Sequence, residues 1–180
     1  CFSAALREMR EEGTLFSYLY PFSTAYYAQF GYGMGCEQMN TWIPIADHLP
    51  FPEVKGNAYL LEKGEHVAAY RTVYEAFASR YNMMVAREEM DYERLRRVRP
   101  EKECRYTYVW KNDEGAPKGA VTFQKKDRVI ECEEFFFADV QGFCGLLNLA
   151  HAFRSYADRI MISLPLDRAI TPLVPEWKAE

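Results

Sequence analysis

Between residues 105 and 164 the chain passes through three short strand-type segments, one long amphipathic stretch and one further strand. This order constrains its fold more than any other feature. Residues 105–111, 119–125 and 129–138 are rich in aromatic and β-branched side chains, and turn-forming residues at 112–115 and 126–128 separate them. Asp139 is placed to cap the helix that follows. That helix is predicted to reach about Ala157, with Phe143, Leu146, Leu147, Ala150 and Phe153 on its inner face. Residues 159–164 form another strand, stopped by Pro165. A helix set between strands in this way places the chain in the α/β class.

The remainder follows the same alternation. Residues 57–61 read as a strand, and 65–81 as the clearest helix, with Val67, Tyr70, Tyr74, Phe77 and Tyr81 on one stripe. A second, charged helix spans 88–98. Nearer the start, Phe2, Ala5, Leu6 and Met9 recur at helical spacing, which predicts a helix over 2–12 stopped by Gly13. Residues 14–20 (TLFSYLY) read as a buried strand ended by Pro21. Ser23 is a good N-cap for a short helix over 24–30, closed by Gly31. An extended stretch then runs to about Ile45. Pro44, Pro50 and Pro52 mark a connection over 45–56, exposed by expectation, between a first domain (1–44) and a second (57–180). The two element strings, α-β-α-β and β-α-α-β-β-β-α-β, overlap as repeats.

Composition narrows the function. With 180 residues, 49% of them apolar, the chain can bury a core without a disulfide or metal. No run approaches the ~20 apolar residues of a membrane span, so no membrane partner is expected. A net charge of −4 argues against nucleic acid as a partner. The basic run Arg94, Arg96, Arg97, Arg99, Lys102 and Arg105 reads as a solvated helix end complementing the dipole, with a phosphate contact as the sharper alternative. Five cysteines (1, 36, 104, 132 and 144) include no C-x-x-C pair, and three histidines (48, 66 and 151) lie far apart. These features predict no metal, and reduced thiols buried as small hydrophobes in a cytoplasmic protein. His48 and His151 have no visible partner. Strand alternation puts Glu131 and Glu133 on one face and Glu134 on the other, either towards solvent or towards a cationic substrate.

The segment 20–33 (YPFSTAYYAQFGYG) holds the strongest candidate for chemistry. Tyr26 and Tyr27 are adjacent, so on a helix they point about 100° apart. Tyr27 and Phe30 share a face at i, i+3. From spacing alone, the two are core residues or the wall of a site.

The string Leu6-Arg7-Glu8-Met9-Arg10-Glu11-Glu12-Gly13, then Leu19-Tyr20-Pro21-Phe22-Ser23 and Tyr27-Ala28-Gln29-Phe30-Gly31-Tyr32, resembles the Eis-like branch of the GNAT (GCN5-related) N-acetyltransferases. So does residues 74–82 (YEAFASRYN). The resemblance implies the end of a first, acetyl-CoA-binding GNAT domain joined to most of a second, degenerate one, both with mixed α/β sheets. It implies acetyl transfer to a primary amine, an aminoglycoside or other polyamine among the candidates, and a homo-oligomer. Tyr27 is then the general acid that protonates the departing CoA thiolate, and Phe22 and Ser23 contact the co-substrate. The alternative is a non-catalytic assembly or binding module with the same fold.

Two departures follow from the resemblance. The pyrophosphate loop of the first domain belongs before Cys1, and the family's C-terminal carboxylate beyond Glu180, so the chain is expected to be an inactive piece of a longer protein. In the second domain the corresponding turn is Asp139-Val140-Gln141-Gly142-Phe143-Cys144-Gly145. Cys144 stands where the phosphate motif wants glycine, Gly142 and Gly145 are out of register, and Asp139 brings a negative charge.

Overall fold

The stripe of Phe2, Leu6 and Met9 folds as helix α1 (Phe2–Glu11). A computed structural model, which describes residues 2–45, 52–61, 64–97, 104–167 and 178–179, shows how that helix ends. The Thr14 N–H donates to the Met9 carbonyl at 2.8 Å and the Gly13 N–H to that of Arg10 at 3.2 Å. Gly13 takes φ +79°, the left-handed conformation this closure requires. Helix α2 (Thr24–Ala28) ends by the same device: Tyr32 donates to Tyr27, Gly31 donates to Ala28, and Gly31 has φ +86°.

Between these helices, residues 14–20 do not form the buried strand expected of them. Phe16 is 73% and Tyr20 99% exposed, and Leu15 and Tyr18 also face solvent. Aromatic and β-branched composition favours a pleated, half-buried surface, but a strand exists only where another supplies its hydrogen bonds. None of the described residues pairs with this stretch.

Contacts divide the chain into two units, Cys1–Glu37 and Gln38–Glu180. Strand β1 (Gln38–Pro44), assigned above to the first domain, is paired along its length with a strand near the end of the chain. The unit boundary therefore falls before β1. Ile45, expected to open an exposed connection, is buried and donates its N–H to the Asp158 carbonyl at 2.7 Å. Pro52, Glu53 and Lys55 are exposed as expected, and 46–51 lie outside the described residues.

The larger unit continues through β2 (Gly56–Leu60), α3 (Gly64–Ala78), α4 (Glu89–Arg97), β3 (Arg105–Asn112), β4 (Pro117–Lys126), β5 (Val129–Phe137), α5 (Val140–Ala152), β6 (Arg159–Pro165) and the two-residue β7 (Lys178–Ala179). Helix α5 stops short of the expected Ala157, and residues 153–156 are turns. The sheet order is β2-β3-β4-β5-β6-β1-β7. Its neighbours are antiparallel except β5 and β6, which α5 joins as a crossover. Parallel pairing is confined to Val129–Glu131 against Arg159–Met161, so the two strands part towards their C-terminal ends.

Three consecutive phenylalanines on β5 serve two cores. Phe135 and Phe137 pack edge-on against Phe143 of α5, whereas Phe136 meets Tyr74 and Phe77 of α3. Alternation along β5 breaks at a bulge. Pairing passes from Thr122↔Glu134 to Phe123↔Cys132 and leaves Glu133 unpaired. The extra residue lets Cys132 and Phe135 join the same core, and it turns Glu134 onto the face of Phe136, beneath α3. The simple alternation expected for the three glutamates is therefore broken at Glu133.

Candidate functional site

In the first unit, Ser23 sits in an extended conformation at the start of α2, and its hydroxyl accepts the Tyr26 N–H at 3.3 Å. This cap fixes where the helix begins, and so where Tyr27 stands. The Tyr27 ring lies 5.2 Å from Phe22, 5.6 Å from Phe2 and 6.0 Å from Tyr32, edge-on in each case. Tyr27 is half-buried among these rings, and Phe22 is 76% exposed. The structure thus brings the three sequence-predicted residues, Tyr27, Phe22 and Ser23, into one turn. Tyr26 does not point clear of them: its ring meets Tyr27 at 5.2 Å, nearly perpendicular, and also packs on Phe22 and Phe30. The Tyr32 hydroxyl is held by Ser17 at 2.6 Å. A phenol in this position can act as a proton donor to a stronger base such as a departing thiolate.

In the second unit, the turn from β5 into α5 is closed by protein groups. Asp139 caps α5 through the Gly142 N–H at 3.0 Å, and its other oxygen pairs with Lys118 Nζ at 2.7 Å. Burial works against the charged form. Even so, the Lys118 hydrogen bond, the backbone N–H groups and the Lys118 charge hold the carboxyl below its usual range. A carboxylate therefore occupies the place where a phosphate would meet the helix N-terminus. Gly142 and Gly145 are close-approach glycines: a Cβ at Gly142 would run into the Lys118 carbonyl, and one at Gly145 into the Trp110 ring. They let α5 lie on the sheet.

Sequence reasoning missed the best-connected polar cluster. Glu134 accepts hydrogen bonds from Tyr70 and Arg87, and from Thr122 at 3.1 Å; Thr122 in turn meets Thr107 at 3.1 Å. The Arg87 guanidinium lies 4.0 Å from the Tyr74 ring centre, with Phe136 and Tyr70 at 5.6 and 6.0 Å. Burial, helped by the neighbouring Glu134 charge, holds the Tyr70 phenol well above its usual range. The available signal was the tyrosine pair at i, i+4 on α3, which the helical stripe absorbed as core.

The other candidates resolve as packing and surface. Cys132 and Cys144 are buried and burial pushes both thiols up, which makes them inert. Cys36 and Cys104 are exposed rather than buried. In the basic run, Arg105 pairs with Glu133 at 2.6 Å and Arg94 with Asp91 at 3.7 Å; Arg99 and Lys102 lie outside the described residues. His48 is also outside them, and His151 Nδ1 is buried without a partner. Among the described residues no cluster of His, Cys, Asp or Glu could hold a metal, and no helix is long and apolar enough to cross a membrane. A core cavity of about 10 Å³, bordered by Val121, Cys132, Leu146 and Ile160, is too small for a substrate.

Residues 83–180 match the profile of an acetyltransferase (GNAT) domain family, and residues 2–35 match a second acetyltransferase (GNAT) profile. No curated protein matches the chain. Among solved structures, a conserved protein of Enterococcus faecalis V583 described as a probable N-acyltransferase superposes with TM-score 0.80 at 18% identity, over 98% of this chain and 45% of that one. A GCN5-related N-acetyltransferase from Anabaena variabilis ATCC 29413 gives 0.78 at 18%, over 99% and 47%. Eis1 from Mycobacterium abscessus gives 0.66 at 18%, over 98% and 47%. The chain thus spans less than half the length of these structures. They show a shared fold, the mixed-sheet α/β arrangement expected from the sequence.

Proposed function

Because the chain belongs to the acetyltransferase (GNAT) domain family, which matches it over residues 83–180, we propose that this protein, as an Eis-like enzyme, moves an acetyl group from acetyl-CoA to a primary amine with Tyr27 as general acid. What supports this role is the seating of Tyr27 on a capped five-residue helix, with Phe22 beside it and Ser23 setting the register. The amine nitrogen attacks the thioester carbonyl, the C–S bond breaks, and the sulfur leaves as a thiolate. Tyr27 gives that sulfur its phenolic proton. The proton released by the new amide nitrogen passes to solvent, from which the phenolate is restored. Phe22 offers an exposed apolar surface to the co-substrate. We assign no co-substrate to the second unit, because Asp139 and Lys118 fill the end of α5 where phosphate would sit.

The test is CoA release from the protein as encoded, with spermidine or an aminoglycoside as acceptor. Tyr27→Phe keeps the ring packing and removes the proton donor, so kcat should fall by roughly 10²–10⁴ while acetyl-CoA affinity holds. Tyr26→Phe should leave turnover unchanged. Turnover of Tyr27→Phe within about twofold of wild type would make Tyr27 a packing residue. A protein that binds acetyl-CoA but acetylates no amine would favour the assembly-module alternative.

A further inference from the structure

The cluster around Glu134 has the parts of a cation-recognition site. Its carboxylate is oriented by two hydroxyls, Tyr70 of α3 and Thr122 of β4, and Thr122 is itself braced by Thr107 of β3. Aromatic walls rise on either side, Tyr70 and Tyr74 from the helix and Phe136 from the strand. All of these groups stand on regular elements of the larger unit, so their geometry is set by the sheet and by α3.

The occupant differs in kind. Arg87 comes from the irregular segment between α3 and α4, where Met83 and Val85 are exposed and Met83 holds φ +66°, a conformation side chains disfavour. The start of this segment is anchored by Arg80, which donates to the Phe137 and Ala138 carbonyls at 2.6 and 2.9 Å, and by Tyr81 on Asp167 at 3.2 Å. The rest is tied down by the Tyr74 hydroxyl on the Val85 carbonyl at 2.6 Å and by the Arg87–Glu134 ion pair. If Arg87 withdraws, it leaves a part-buried carboxylate that favours a replacement cation, between rings that favour a planar one.

We propose that Glu134, Tyr70, Tyr74, Thr122 and Phe136 form a binding site for an alkylguanidinium ligand, which Arg87 fills as a displaceable internal occupant. Ligand entry and release of the 82–88 segment are then one event. The apparent affinity of the wild type is lowered by the fraction of molecules in which Arg87 is already out. This site goes beyond the transfer reaction and does not depend on it.

The experiment uses n-butylguanidinium as probe, with calorimetry for binding and amide hydrogen exchange for the loop. In the wild type the probe should bind and raise exchange across residues 82–88, whereas equimolar butanol should do neither. Arg87→Ala should bind about tenfold tighter or better, because no occupant has to leave. Glu134→Gln, which keeps the shape and removes the charge, should weaken binding by about tenfold or more. Two results would overturn the proposal: a folded Arg87→Ala that takes up no probe, or one that binds while the wild type neither binds nor releases the loop, which would make Arg87 a structural plug. If Arg87→Ala does not fold, the wild-type exchange experiment decides alone.

Discussion

Lys118 Nζ lies 2.7 Å from Oδ2 of Asp139, while the other Asp139 oxygen caps helix α5. One side chain thus closes a helix end and ties it to strand β4. Asp139→Asn keeps a side chain that caps about as well, so it should cost about 1 kcal/mol or less, through the lost part-exposed ion pair and the lost charge at the helix N-terminus. The folded-state carboxyl titrates below its usual range, so its stabilisation is complete above the ordinary carboxylate pKa and is lost as pH falls through the depressed value. The gap in melting temperature between the two proteins should be constant near neutrality and begin to close only below about pH 4. A gap that widens in acid would contradict this assignment.

Gly145→Ala tests the reading of that glycine as a packing residue. The added methyl would enter the Trp110 ring, and overpacking of this kind costs roughly 1–3 kcal/mol. Denaturant midpoints should shift accordingly, with altered tryptophan emission. An unchanged midpoint would show that the contact between α5 and Trp110 does not require glycine at this position.

Tyr70→Phe removes one of the hydroxyls that orient Glu134 and leaves the ring in place. Hydrogen bonds to charged groups contribute roughly 1.5–3 kcal/mol, so the melting temperature should drop by several degrees. The wild-type phenol is held well above its usual range. Absorbance titration of wild type and variant should therefore count equal numbers of tyrosinates until alkaline unfolding begins. One fewer in Tyr70→Phe before that point would show that Tyr70 ionises in the native protein.

Ser23→Ala should fray α2 with little effect elsewhere. Losing the cap costs about 1 kcal/mol, and the readout is faster amide exchange at Tyr26 and Tyr27. If exchange there stays as slow as in the wild type, the aromatic cluster alone holds the helix.

The order of residues alone sets the local elements: capped helices at Ser23 and Asp139, glycine closures at Gly13 and Gly31, and the succession of strands from β3 to β6. These features depend on contacts a few residues apart, which periodicity and turn chemistry reveal. It also placed Tyr27, Phe22 and Ser23 in one turn, because a short capped helix carries its neighbours with it. Which elements meet depends on long-range pairing. Strand β1 pairs with β6 rather than ending the first unit, residues 14–20 find no partner strand among the described residues, and a single bulge residue, Glu133, sends Glu134 under α3. Arg87 and Tyr70 reach Glu134 from 47 and 64 residues away. Pairing and register are properties of two segments at once, and a one-residue shift exchanges the faces of a strand without altering its composition.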